Sequence, residues 1–204
     1  MALSLATVGG KITAAFINLI IAQVNKNSPT AVIPTSVTGG TYNATTGVVN
    51  WTNGGTVLDI NGIFTSQYYS YRIVINAMVK SVAGIDLQAR YLTAGVVDTT
   101  AVYSTERTVL TTTTPAYYSA LSTSLWTVDG GATTAFGDII IELHRPAGGL
   151  PSGGTIQARS GTNVSLTGSI DYASFTAHDG LRLMFSGAGT VNSTVTNVRI
   201  FGYN

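Results

Sequence analysis

The sequence predicts a mainly β protein: an antiparallel two-sheet β-sandwich of jelly-roll type, preceded by a short N-terminal helix and an extended arm. Three observations carry that prediction. In Asn61 to Met78, a turn signal leads into a run where Tyr71, Ile73, Ile75 and Ala77 fall on one face of an extended chain and Arg72, Val74, Asn76 and Met78 on the other. Both faces are largely apolar, which predicts a central strand covered on each side. Downstream, short alternating segments recur between Gly-rich turns, the spacing of a sandwich. Finally, 45% of residues are hydrophobic and only 9% charged, against roughly 25% on average. The remaining polar residues are mostly Thr, Ser, Asn and Gly.

The elements follow in order. Lys11 to Asn25 predicts the helix, because Ile12, Phe16, Leu19, Ile20 and Val24 repeat at helical spacing. Ile17 and Ile21 widen the apolar arc to about half the circumference, more than one packing face needs. The arc packs either on its own domain or against copies of itself or a neighbouring protein. The same five residues are the candidate oligomer or particle contacts. Asn27-Ser28-Pro29 stops the helix, and Pro29 and Pro34 keep the segment to Gly40 out of helix and out of interior strands. The chain thus divides into a helix and anchoring arm, 1–34, and a sandwich, 35–204. Val48 to Trp51 and Val57 to Ile60, around Asn53-Gly54-Gly55, predict a hairpin. Between Lys26 and Asp59 there is no charged residue, which suggests that part of the arm is covered.

Beyond the central strand, Ile85, Leu87, Ala89 and Tyr91 alternate with Asp86, Gln88 and Arg90 and predict its antiparallel partner. Thr93 to Pro115 is Thr-rich, and Tyr117 to Trp126 is either a strand or an irregular aromatic loop. In Gly137 to Arg145, Ile139, Ile141 and Leu143 should point inward while Asp138, Ile140, Glu142 and His144 take the other face. Short strands follow around Thr155 to Arg159, Val164 to Tyr172 and Leu181 to Ser186, and Val195 to Tyr203 closes the fold.

Composition also excludes functions. A formal net charge of +1, with Lys and Arg scattered, gives no field for nucleic acid or an acidic membrane. The N-terminal apolar run is shorter than the ~20 residues a bilayer requires and contains Asn18 and Gln23, so membrane insertion is not expected. With no cysteine, disulfides and thiolate chemistry are absent. His144 and His178 belong to no metal-binding pair, and His178-Asp179-Gly180 reads as a turn. Asp138 and Glu142 read as solvated strand residues, Ser160-Gly161 and Ser186-Gly187 lack a nucleophile-elbow context, and Gly148 to Gly154 lacks the Lys of a phosphate loop. No catalytic residue, metal site or cofactor is expected. Tyr117, Tyr118 and Trp126, beside Ser and Thr, are the candidate glycan contacts, with core burial the competing reading for Trp126. Tyr71 should be buried and Tyr69 should lie at a sheet edge or subunit contact.

The runs NGIFTSQYYSYRIVI, IDLQARYLTAG and the terminal VTNVRIFGYN together resemble a β-sandwich domain of virion proteins of tailed bacteriophages, especially phages of Actinobacteria, of the minor tail, fibre or head-decoration type. The matching positions are Asn61, Gly62, Phe64, Thr65, Tyr68, Tyr71 and Ile73, with Phe201, Gly202 and Tyr203 at the end. TVGGKITAAFINLIIAQVN is similar to the leader helix that often precedes this domain. Asn204 stands where a basic residue is common. The resemblance implies a structural virion protein exposed on the particle, either decorating the capsid or forming part of the tail, and assembled in the host bacterial cytoplasm. It further implies a homotrimer held to other virion proteins through its N-terminal segment. The alternative function is a receptor-binding module for host surface glycans.

Overall fold

The computed structural model describes residues 28–110, 115–129, 134, 138–159, 164–194 and 196–204. The helix predicted over Lys11 to Asn25, with Ile12, Phe16, Leu19, Ile20 and Val24, lies outside them. The described residues form sixteen strands and no helix. In chain order these are β1 (Thr30–Ala31), β2 (Ser36–Thr38), β3 (Gly40–Tyr42), β4 (Val49–Trp51), β5 (Val57–Asn61), β6 (Ser70–Asn76), β7 (Leu87–Thr93) and β8 (Val96–Val97). They continue with β9 (Tyr103–Leu110), β10 (Pro115–Thr123), β11 (Trp126–Thr127), β12 (Asp138–His144), β13 (Ser152–Arg159), β14 (Ser165–Tyr172), β15 (Gly180–Phe185) and β16 (Asn197–Tyr203). Two antiparallel sheets result. The larger has the order β10-β9-β14-β13-β12-β6-β16-β4-β3, with β1 also on β16, and the smaller has β11-β7-β15-β5-β2, with β8 also on β7.

The sheets pack face to face as a β-sandwich. From the larger, Tyr71, Ile73 and Ile75 of β6, Ile139, Ile141 and Leu143 of β12, and Val198 and Ile200 of β16 are buried. They meet Leu58 and Ile60 of β5, Leu87, Ala89 and Tyr91 of β7, and Leu181 and Leu183 of β15 in one continuous core. Each such aliphatic side chain contributes roughly 1.5–3 kcal/mol on burial. Aromatic pairs join the layers: Trp51 of β4 stacks on Phe185 of β15 with ring centroids 5.4 Å apart. Tyr91 of β7 meets Tyr172 of β14 edge to face at 5.1 Å.

Several expectations need correction. β6 is central in its sheet, between β12 and β16, but only one face is covered: Arg72 is exposed and Val74 and Asn76 are half-buried. An ion pair of Arg72 with Glu142 crosses that open face at 2.5 Å. β4 and β5 are not a hairpin, since β4 pairs with β3 and β16 while β5 pairs with β15 and β2. The intervening turn is caught by Val191, whose carbonyl accepts from Gly54 and whose amide donates to Gly55, so the chain crosses between layers. β7 likewise is not the partner of β6. Ala77, at φ +53°, ends β6, and the segment through the Lys80–Val191 bridge carries the chain to the other sheet before Ala83-Gly84.

The segment read as an arm is extended and woven into both layers. β1 pairs with β16, the Val32 amide donates to Ile200, and Val32 is buried. Four residues later β2 pairs with β5. Tyr117 to Trp126 resolves into β10, the edge of the larger sheet, and β11, the edge of the smaller.

Candidate functional site

Where β6 begins and β16 ends, Tyr71 pairs with Gly202 and Ser70 with Tyr203, which brings several of the residues quoted for the resemblance together. Gly62, at φ +68°, lies so close to Thr35 that a Cβ would sit 2.3 Å from its hydroxyl oxygen, so only glycine fits this turn. The buried Tyr71 hydroxyl accepts from the Thr65 amide and donates to the Thr65 carbonyl, both at 2.7 Å, fixing the loop before β6. Burial raises the Tyr71 pKa, so the hydroxyl keeps the proton it donates. Phe64 packs edge-on against Tyr71 at 5.0 Å. A Cβ on Gly202 would lie 2.4 Å from the Tyr68 ring, so that ring rests on bare backbone.

This scaffold is one wall of a groove of about 560 Å³ lined by Thr65, Ser66, Gln67, Tyr68, Tyr69, Arg145, Ala147, Gly148, Leu150 and Asn204. Tyr69 is 53% exposed. The Arg145 guanidinium lies 4.9 Å from the centroid of its ring, and Arg145 Nε donates to its hydroxyl at 2.5 Å. Arg145 has φ +58°, left-handed for a non-glycine residue, and precedes Pro146, which disfavours the ordinary helical region. Backbone bonds hold it there: its amide donates to Tyr69 and its carbonyl accepts from Gly148. The groove is therefore lined by two tyrosine rings, the Arg145 cation, the Thr65 and Ser66 hydroxyls and the Gln67 and Asn204 amides. None of its lining residues is Asp or Glu. Such a surface suits a neutral or anionic polyhydroxyl ligand held by stacking and hydrogen bonds.

The three sequence-predicted aromatic contacts are not brought together. Tyr117 and Tyr118 are 65% and 49% exposed on β10, on opposite faces of the strand, and β9, β14 and β13 separate them from β12. Tyr118 lies over the Arg107 guanidinium at 5.1 Å. Trp126 is fully buried, edge-on to Tyr91 at 4.6 Å and Tyr103 at 5.0 Å, and its indole N–H donates to the Asp171 carbonyl at 2.8 Å. It presents no face to a ligand. Tyr69, read as an edge or contact residue, is exposed and forms an aromatic wall of the groove. Its partner Arg145 is 76 residues away, so no local spacing signals the pair.

His144 is exposed on the open face of β12, whereas His178 is buried between aromatic rings, stacked on Tyr91 at 4.3 Å and edge-on to Tyr172 at 4.7 Å. Its Nδ1 meets the Thr93 hydroxyl at 3.0 Å and its Nε2 lies 3.9 Å from Asp98. Asp98 also accepts from the Tyr172 hydroxyl. Burial pushes the His178 pKa down to about 4, although Asp98 and Asp179 favour its charged form. Among the described residues no three His, Asp or Glu side chains gather as metal ligands.

Comparison with known proteins finds no matching family model, no matching curated protein and no matching solved structure.

Proposed function

We propose that the chain is a structural protein of a tailed-phage virion, displayed on the particle as a capsid decoration, head fibre or minor tail protein, and anchored through its N-terminal segment. The observation that carries this reading is how that segment enters the sandwich. β1 lies antiparallel on β16, an interior strand of the larger sheet, and β2 lies on β5 in the other layer. A pull on the N-terminal side therefore loads backbone hydrogen bonds in both sheets rather than one frayed end. That is a sound attachment for a displayed domain.

The strand path supports the jelly-roll assignment. β4, β16, β6 and β12 are neighbours in one sheet and β5, β15, β7 and β11 in the other, and along these eight strands the chain alternates between layers except from β7 to β11. That order fits the double winding of a jelly roll. The proposed assembly is a homotrimer, with Ile12, Phe16, Leu19, Ile20 and Val24 buried between copies or against capsid or tail proteins. Replacing Phe16 and Ile20 together with Asp places uncompensated charge in that contact. Sedimentation should then give monomers, or particles should lose the protein; a double variant that stays oligomeric and attached rules the contact out.

The groove favours host-glycan recognition as a second reading. On a glycan array, Tyr69→Ala should abolish any signal while Tyr117→Ala keeps it. Binding that depends on Tyr117 and not on Tyr69 would move the site to β10.

A further inference from the structure

Lys80 and Asp129 form an ion pair with both side chains at 0% exposure, the ammonium 3.2 Å from each carboxylate oxygen. Their backbones are held in place. The Lys80 amide donates to Thr134 at 2.6 Å and the residue bridges to Val191, while the Asp129 carbonyl accepts from Arg107 at 2.6 Å. Lys80 lies on the crossover between β6 and β7, and Asp129 follows β11, so the pair ties the exit of the larger sheet to an edge of the smaller.

Taking two full charges out of water is costly, and condensation to an amide removes both. Moving one proton from the ammonium to the carboxylate leaves an amine beside a carboxylic acid. We infer that Lys80 and Asp129 condense to an isopeptide cross-link. Nζ attacks Cγ of Asp129, the Nζ–Cγ bond forms, and one Cγ–Oδ bond breaks. The departing oxygen leaves as water with two of the three protons the ammonium carried, and the third stays on the amide nitrogen. Atoms and charge balance without an oxidant or cofactor. Fixed groups in contact react with effective molarities on the order of 10⁵–10⁸ M, and enclosure in the core disfavours hydrolysis.

Asp86 is an acidic neighbour of the pair. Its half-buried carboxyl lies within electrostatic reach of Lys80, Asp129 and Arg107. Burial first, and then the Asp129 charge, hold it above the usual carboxylate range, with Arg107 and Lys80 opposing. In a chain without cysteine the amide would be a covalent staple between the layers.

Intact mass of the denatured full chain tests this. The expected mass is lower than the sequence mass by one water, and a digest should yield a branched peptide joining Lys80 to Asp129. Asp129-Gly130 can also lose water by closing to a succinimide, so Lys80→Met supplies the control: the cross-link disappears and the full mass returns, whereas a succinimide persists. A wild-type chain at full sequence mass, or a water loss without the branched peptide, overturns the inference even where Lys80→Met fails to fold.

Discussion

His178 holds a neutral imidazole in an aromatic cage, and this makes stability depend on pH. In the unfolded chain the ring binds a proton near 6.5, whereas in the fold it does so only near 4, because burial against Tyr91 and Tyr172 outweighs the attraction of Asp98 and Asp179. Between those values the unfolded state carries more protons. The contribution of His178 is therefore complete above pH 6.5 and is lost as pH falls towards 4. Asp98 extends the loss to lower pH. Burial alone would raise its pKa, but hydrogen bonds from Tyr172 and Thr100 and the nearby His178 hold it lowered. Denaturant midpoints measured from pH 7 to pH 4 should fall for the wild type and fall less steeply for His178→Phe. Parallel curves would show that His178 does not control the transition.

Among the elements, those defined by one-sided burial were legible in the sequence, and those defined by partners were not. Ile139, Ile141 and Leu143 alternate with Asp138, Ile140, Glu142 and His144 and are buried on the side their period predicts. Alternation is a property of one segment, so it survives folding. Val49 to Ile60 reads as a hairpin because turn residues separate two apolar runs, yet Val191 captures the turn and sends the strands to different layers. Nothing local encodes that capture. The groove was hidden for the same reason, since Tyr69 and Arg145 meet only through tertiary structure. Trp126 was ambiguous because a large aromatic serves a core and a binding face equally well. At the N-terminal boundary, β1 and Val32 give a quantitative expectation. A chain beginning at Thr35 should still melt cooperatively, but below one beginning at Ser28 by roughly 1–3 kcal/mol, the worth of one buried valine and its strand pairing. Equal stability would mean that β1 bears no load, and a molten product would mean that the sandwich requires it.

At the scale of the whole molecule, the sandwich offers a rigid body with little charge and an uncovered outer face on its larger sheet. Ser, Thr and Gln on β13 and β14 alternate there with buried Ile156, Ala158, Leu166 and Ile170. Such a body fits the proposed role in display, which would hold it from one side and expose the other. The N-terminal residues are asked to supply attachment and three-fold association, and the sandwich to supply persistence outside the particle. Cryo-electron microscopy of intact virions, comparing wild type with Phe16→Asp/Ile20→Asp, tests this division most directly. The account predicts sandwich-sized density, grouped in threes on the outer surface of the capsid or tail, that is lost in the double variant. Particles without such density in the wild type, or with density unchanged in the variant, would contradict it.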